Sequence, residues 1–187
     1  MPNFTRKAIK ESFWKLLNER PLNRITVKDI VEDCGINRNS FYYHFQDLPA
    51  LIEEIVEEII DGIIQEHPSV ESFEECLGVA ITFGLQNKRA IHHIYNSVNR
   101  DILEKYLMDV CQHAVSTYIE TTFSDLSINE QDKALIVRFY KCECFGQIIE
   151  WMNSGMKEDV LAEFHRLCML CKGMTEEMFR RSQEERP

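Results

Sequence analysis

At 187 residues, the chain is long enough for one sizeable hydrophobic core or for a small module joined to a larger one. With 44% hydrophobic and 28% charged residues, seven Gly and five Pro, the composition excludes a disordered or collagen-like chain and argues against an all-β one. The net charge of −10 argues against bulk attraction to a polyanion, but it is unevenly spread. Residues 1–47 carry eight Lys/Arg against six Asp/Glu, and residues 48–187 carry thirteen against twenty-five, so the mildly basic N-terminal end is the candidate nucleic-acid end. No apolar run reaches bilayer length, and MPNFTRKAIKESFW lacks the apolar stretch of a secretory leader. A cytoplasmic protein with no membrane partner is expected. Seven irregularly spaced cysteines then read as free thiols.

In chain order, Ile9, Phe13, Leu16 and Leu17 keep helical spacing, which predicts an amphipathic helix from Asn3 to Glu19 that stops before Pro21. Thr26 is placed to cap a short second helix, with Asp29 three residues on and Ile30 and Val31 on its buried side. Gly35 supplies the positive φ of a tight turn, and Asn37 caps a third short helix through Phe45. Two short helices across such a turn are a helix-turn-helix pattern. Asp47 caps a fourth helix, whose stripe of Leu51, Ile52, Ile55, Val56, Ile59, Ile60 and Ile63 opposes Glu53, Glu54, Glu57 and Glu58, making a rod about 30 Å long that ends at His67-Pro68-Ser69.

Further helices are predicted near 71–85, 88–97, 100–123, 129–154 and 158–181. The sequence is therefore all-α, with a helix-turn-helix domain over 1–47 and a second helical domain over 48–187. In the segment 132–152 apolar residues fall on nearly every side of the helix, so it needs partners on two sides. Phe145, Ile148, Ile149 and Met152, with Phe164, Leu167, Cys171 and Met174 of the last helix, are the expected homodimer face, the alternative being that both helices lie in a monomer core.

The stretch from Thr26 to Leu51, with its run Phe41-Tyr42-Tyr43-His44-Phe45, resembles the TetR/AcrR family of bacterial transcription regulators, and the likeness extends over about residues 4–60. The resemblance implies a ligand-controlled homodimer that binds operator DNA, with the third helix as reader and the fourth as the lever. Two half-sites about 34–36 Å apart make such a reader sensitive to small displacements of that lever. The family usually carries a lysine at the start of the fourth helix to hold a phosphate, where this chain has Leu48.

The side chains support the same reading. Arg38 and Asn39 begin the third helix, where side chains reach base edges, Arg pairing with guanine and Asn with adenine. Asn37, Ser40, Tyr42, Tyr43 and His44 offer further phosphate and base contacts, as do Thr26 and Lys28 at the second helix, while Ile36, Phe41 and Phe45 form the core side.

Candidates for an effector pocket are Phe83, His92, Tyr95, Tyr106, Cys111, His113, Tyr118 and Phe139. No cofactor or metal is expected. Cys142 and Cys144 point about 200° apart on a helix, and Cys168 and Cys171 share a face inside an apolar stripe. No phosphate loop, nucleophile elbow or HExxH pair points to an enzyme. The reading is a TetR-type repressor controlled by a small molecule. The alternative is a regulator-derived interaction protein that no longer binds operator DNA.

Overall fold

A computed structural model of the chain describes residues 2–66, 73–124, 128–157 and 160–183. Among these residues every regular element is helical: α1 Pro2–Glu19, a 3-10 turn Leu22–Arg24, α2 Val27–Asp33, α3 Arg38–His44, α4 Leu48–Glu66, α5 Phe73–Gln86, α6 Lys88–Tyr95, α7 Arg100–Thr122, α8 Glu130–Asn153, α9 Val160–Leu170 and α10 Met174–Gln183. The expected terminator of α4, His67-Pro68-Ser69, lies outside the described residues. The helices form two compact units, one of residues 1–62 and 87–106, the other of residues 63–86 and 107–187.

The N-terminal unit is built on α1. Ile9, Phe13 and Leu17 are fully buried on one face, as their spacing requires, and α2, α3 and α6 pack against that helix. Each start and stop has a local cause. The Thr26 hydroxyl accepts the Asp29 backbone N–H at 3.3 Å while the Asp29 carboxylate accepts the Thr26 backbone N–H at 2.8 Å, a complete capping box. Gly35 takes φ +68 just beyond α2, a conformation that side chains disfavour, and lets Ile36 N–H return to the Val31 carbonyl at 2.9 Å. The Asn37 side chain then accepts the Ser40 backbone N–H at 2.9 Å and starts α3, and Asp47 does the same for Ala50 at 2.8 Å and starts α4. The buried side of α4 is Leu51, Ile52, Ile55, Val56 and Ile60.

Sequence patterning placed α6 among the sensor helices, but it belongs to this unit. Ala90, Ile91, Ile94 and Tyr95 are its buried face, and the ring of His93 meets the Leu17 carbonyl of α1 at 2.6 Å through Nδ1.

In the C-terminal unit α8 carries a long buried face. Ile136, Val137, Tyr140, Cys144, Ile148, Trp151 and Met152 are buried along it. Trp151 is fixed at both ends, its indole N–H donating to the Lys157 carbonyl at 2.7 Å and its ring lying over Gly84 of α5. The single long helix expected over 158–181 is two, because Gly173 adopts φ +84 after α9 and a new helix begins at Met174. Phe179 of α10 closes the unit by stacking on Phe123, ring centroids 4.5 Å apart.

A Cβ on Gly84 would sit 2.7 Å from a Trp151 ring carbon, and the ring's hydrogen bond prevents it from giving way. Gly84→Ala is therefore expected to destabilise the C-terminal unit by about 1–3 kcal/mol, read as a lowered denaturant midpoint. An unchanged midpoint would show that α5 and α8 do not cross in contact at this residue.

Candidate nucleic-acid interface

The third helix has two opposite faces. Phe41 and Phe45 are 0% and 3% exposed, ring centroids 5.8 Å apart, while Tyr42 and Tyr43 are 53% and 79% exposed. Arg38 and Asn39 are also exposed, and Ile36, Ser40 and His44 are half-buried at the edges of the outward face. Seven residues make two turns, so burying two aromatic rings four residues apart leaves the intervening side chains on the solvent side. The polar groups split into engaged and available ones. Asn37 Oδ1 is taken by the Ser40 backbone N–H and by the Ser40 hydroxyl at 3.2 Å, and the Thr26 hydroxyl donates to Asp29 at 2.6 Å. Among the described residues no ion pair engages Arg38.

The other cations beside the interface are partly committed. Arg20 faces Asp29 at 3.2 Å and Lys15 faces Asp33 at 2.6 Å, both tying α2 to the end of α1. Lys28 reaches Glu32 only at 3.7 Å, with both side chains mostly in water, a pairing of little strength that a phosphate can replace. The carboxyl of Asp29 is held below its ordinary range by the hydrogen bonds from Thr26, with a smaller pull from Arg20. A negative charge therefore stands at the start of α2, and Asp47 places another at the start of α4, next to the Leu48 position. The sequence reading passed over Arg24, exposed on the 3-10 turn two residues before Thr26 and free of any ion pair among the described residues. A lone basic residue beside a helix cap was the available signal.

Behind the interface, a ladder of charges joins α1 to α4. Arg6 makes a paired contact with the Glu54 carboxylate, and Lys10 contacts Glu54 and, at 2.5 Å, Glu58. The Arg6 guanidinium also lies over the Phe45 ring, 5.3 Å from its centroid, so one side chain touches both α4 and the buried residue that ends α3. On the α7 side of α4, the Lys105 ammonium and the Tyr106 hydroxyl donate to Glu53 at 3.1 and 3.3 Å.

The proposed pocket residues are not brought together. His92, Tyr95 and Tyr106 fall in the N-terminal unit, because the apolar face of α6 is spent on α1. There His92 is exposed beside Asn96, and Tyr95 lies buried under the Arg100 guanidinium at 4.0 Å. In the C-terminal unit Cys111 is buried, its thiol pushed up to about 12 by desolvation, and His113 keeps a buried Nε2 without a hydrogen-bond partner. Phe83 lines a shallow cleft of about 420 Å³, and Tyr118 and Phe139 line a different cavity of about 580 Å³.

The expected dimer face is likewise divided. Ile148, Met152 and Phe164 are only 3%, 7% and 4% exposed, consumed by the core of their own unit, while Phe145, Ile149, Leu167, Cys171 and Met174 are half-buried. The exposed apolar side chains of α8 and α9 are instead Leu135, Phe139, Leu161, Met169 and Leu170. Cys142 is exposed and Cys144 buried, as their 200° separation requires, and no group of three or more His, Cys, Asp or Glu among the described residues has metal-holding geometry. No helix among them is long and apolar enough to cross a membrane.

A capped helix-turn-helix with a polar, aromatic outward face, followed by a separate all-helical unit, defines the class of helix-turn-helix regulators. A family model described as "Bacterial regulatory proteins, tetR family" matches residues 13–55, and one described as "Transcriptional regulator C-terminal region" matches residues 71–173. The chain belongs to the TetR family of bacterial transcriptional regulators. The uncharacterized HTH-type transcriptional regulator YxbF of Bacillus subtilis (strain 168) is 32% identical over 63 residues, which are 34% of this chain and 17% of that protein, so only a small part of that relative is shared. The dihydroxyacetone kinase operon activator DhaS has a solved structure that matches 91% of this chain and 97% of its own with a TM-score of 0.70 at 18% identity, a likeness of fold alone.

The Glu54 carboxyl is held below the ordinary glutamate range, first by the hydrogen bond from Arg6 and then by Lys10. A lowered folded-state value means stability that is present at neutral pH and lost as pH falls through that value. Glu54→Gln is expected to cost about 0.5–1 kcal/mol at pH 7, small because the partners are partly solvated. The gap from the parent chain should close in acid, read from thermal unfolding across pH. A gap independent of pH would mean that packing, not charge, holds α1 to α4.

Proposed function

We propose that the chain is a DNA-binding transcriptional regulator of the cytoplasm that works as a homodimer on operator DNA and is controlled by a small-molecule effector. The observation that carries this reading is the outward face of α3, where Arg38, Asn39, Tyr42 and Tyr43 are exposed over a buried Phe41–Phe45 pair. Arg38 and Asn39 at the first turn read base edges, the two tyrosines contact phosphate and thymine methyl groups, and His44 donates to backbone oxygens, whereas the Ser40 hydroxyl can do so only by giving up its bond to Asn37. Lys28 and Arg24 position the unit on the phosphates. They carry the role that Leu48 cannot perform, since an aliphatic side chain stands where a lysine is usual.

In this reading residues 1–47 bind DNA and residues 48–187 sense and dimerise, with the exposed Leu135, Phe139, Leu161, Met169 and Leu170 of α8 and α9, rather than the buried Ile148, Met152 and Phe164, pairing across a two-fold axis. A ligand in the C-terminal unit acts by preferring one setting of α4. Because Arg6 and Lys10 tie α1 to α4, a shift of that helix carries the reader with it. We read the outcome as repression by operator occupancy, relieved by the effector. DhaS is by its name an activator, so the architecture serves either sign. The acidic starts of α2 and α4 favour a second reading, an interaction protein without operator binding.

The readings separate in a mobility-shift titration of the purified chain against DNA upstream of its own gene. Specific retardation that weakens steeply with salt is expected, and equal binding to an unrelated fragment, or none, would leave the interaction reading. Arg38→Ala and Asn39→Ala should each cost about 1–3 kcal/mol at one base pair and relax preference there. Lys28→Ala and Arg24→Ala should weaken all sequences alike and each reduce the salt slope by about one. A uniform loss in Arg38→Ala would reassign Arg38 to the phosphates.

A further inference from the structure

Phe45 is the residue at which the chain leaves α3. Its backbone N–H closes the last turn on the Phe41 carbonyl at 2.9 Å, and its own φ and ψ of −136° and 132° are extended. Two residues later Asp47 caps α4. This short connection fixes where α4 begins but not the direction in which it runs, since a helix held only at its first residue is free to pivot there. The apolar face of Leu51, Ile52 and Ile55 supplies burial, and such non-directional contacts tolerate small slides and rotations. Arg6 of α1 adds a directional one. Its Nε donates to Glu54 at 2.6 Å and its Nη2 to the other oxygen of the same carboxylate, while the guanidinium lies over the Phe45 ring, 5.3 Å from the centroid. Glu54 stands six residues beyond Leu48, about 9 Å along the helix axis. We propose that Arg6 is a positioning residue for DNA recognition, which sets the direction of α4 relative to α3, and so the separation of the two recognition helices in a dimer, without touching DNA itself.

The neighbouring cations of α1 do not share this geometry. Lys10 contacts Glu54 and Glu58, both on α4, and Lys7 faces Glu11 of its own helix at 3.6 Å with both side chains mostly in water. Joining α3 to α4 needs a planar cation that can lie on a ring and fork onto a carboxylate at once, which an ammonium cannot do. The Arg6 and Glu54 side chains are 44% and 22% exposed, so loss of the pair loosens the joint without unfolding the unit. Arg6, Phe45 and Glu54 all belong to the N-terminal unit.

The joint is tested without DNA, by amide hydrogen exchange of the intact chain. Glu54→Ala changes α4 alone, yet it should speed exchange of the Phe45 amide by about two- to thirtyfold, the range over which a coupling residue shifts an equilibrium. Arg6→Ala should do the same, and the double variant should exchange no faster than Arg6→Ala. Arg6→Lys keeps the charge, loses the fork and should not restore the protection; it takes the place of Arg6→Ala in the cycle if that variant does not fold. Lys7→Ala removes a neighbouring charge and should leave this amide unchanged. Additive effects of Arg6 and Glu54, or an equal effect of Lys7→Ala, would overturn the joint.

The consequence for recognition rests on the DNA-binding reading above. It is read from mobility shifts on the inverted repeat that the chain selects from a randomised pool and on the same repeat with one base pair added between its halves. Arg6→Ala should shrink the preference for the selected spacing by about two- to thirtyfold while keeping both the base preference and the slope of affinity against salt. A slope smaller by about one would make Arg6 a phosphate contact and overturn the inference, as would an undiminished spacing preference. Specific DNA binding with additive exchange effects overturns this inference alone. A chain that ignores DNA but shows the coupled exchange upholds the joint and overturns the regulator reading together with the role of Arg6 in recognition.

Discussion

The structure of the DNA-facing unit depends on the burial of Phe41 and Phe45. α3 is only seven residues long, too short to hold itself together in water, so it exists because two aromatic rings on one side are taken into the core beside α1. That burial determines the other side. With Asn37 fixing the first turn and the two rings fixing the roll of the helix, Arg38, Asn39, Tyr42 and Tyr43 have nowhere to point but outward. The polar outward face is thus a consequence of packing.

One of these rings also links α3 to α4. Arg6 lies over Phe45 while holding Glu54, and Lys10 extends the contact to Glu58, so the N-terminal turns of α4 are bound to the body that carries α3. Individually such surface pairs contribute little. As a ladder between two helices they resist sliding of one past the other. Where a lysine is usual, α4 opens on Leu48 beside the capping Asp47, while Arg24 and Lys28 are the exposed cations next to the cap of α2.

Much of the N-terminal unit was legible in the chain because its determinants are local. Thr26 with Asp29, Gly35, Asn37 and Asp47 act within four residues of themselves, and each did what its chemistry prescribes. The two-sidedness of α8 was legible too, but which side faces the unit's own core was not. Ile148 and Met152 share their helix with Leu135 and Phe139, and only the packing of the neighbouring helices decides which of them are buried. For the same reason α6 was misassigned: its attachment to α1 depends on His93 meeting Leu17 from 76 residues away. The Arg6–Glu54 contact spans 48 residues and leaves no local mark. Gly173 was visible, but an apolar stripe running past it disguised the break between α9 and α10.

The central claim is that the outward face of α3 reads DNA in a two-fold arrangement. It is tested most directly by letting the intact chain select from a randomised duplex pool at moderate salt and sequencing what it retains. The account predicts an inverted repeat whose half-site centres are separated by about one helical turn or a whole number of turns. Retention without any enriched motif, or an enriched motif that survives replacement of Arg38 and Asn39 by alanine, would contradict it.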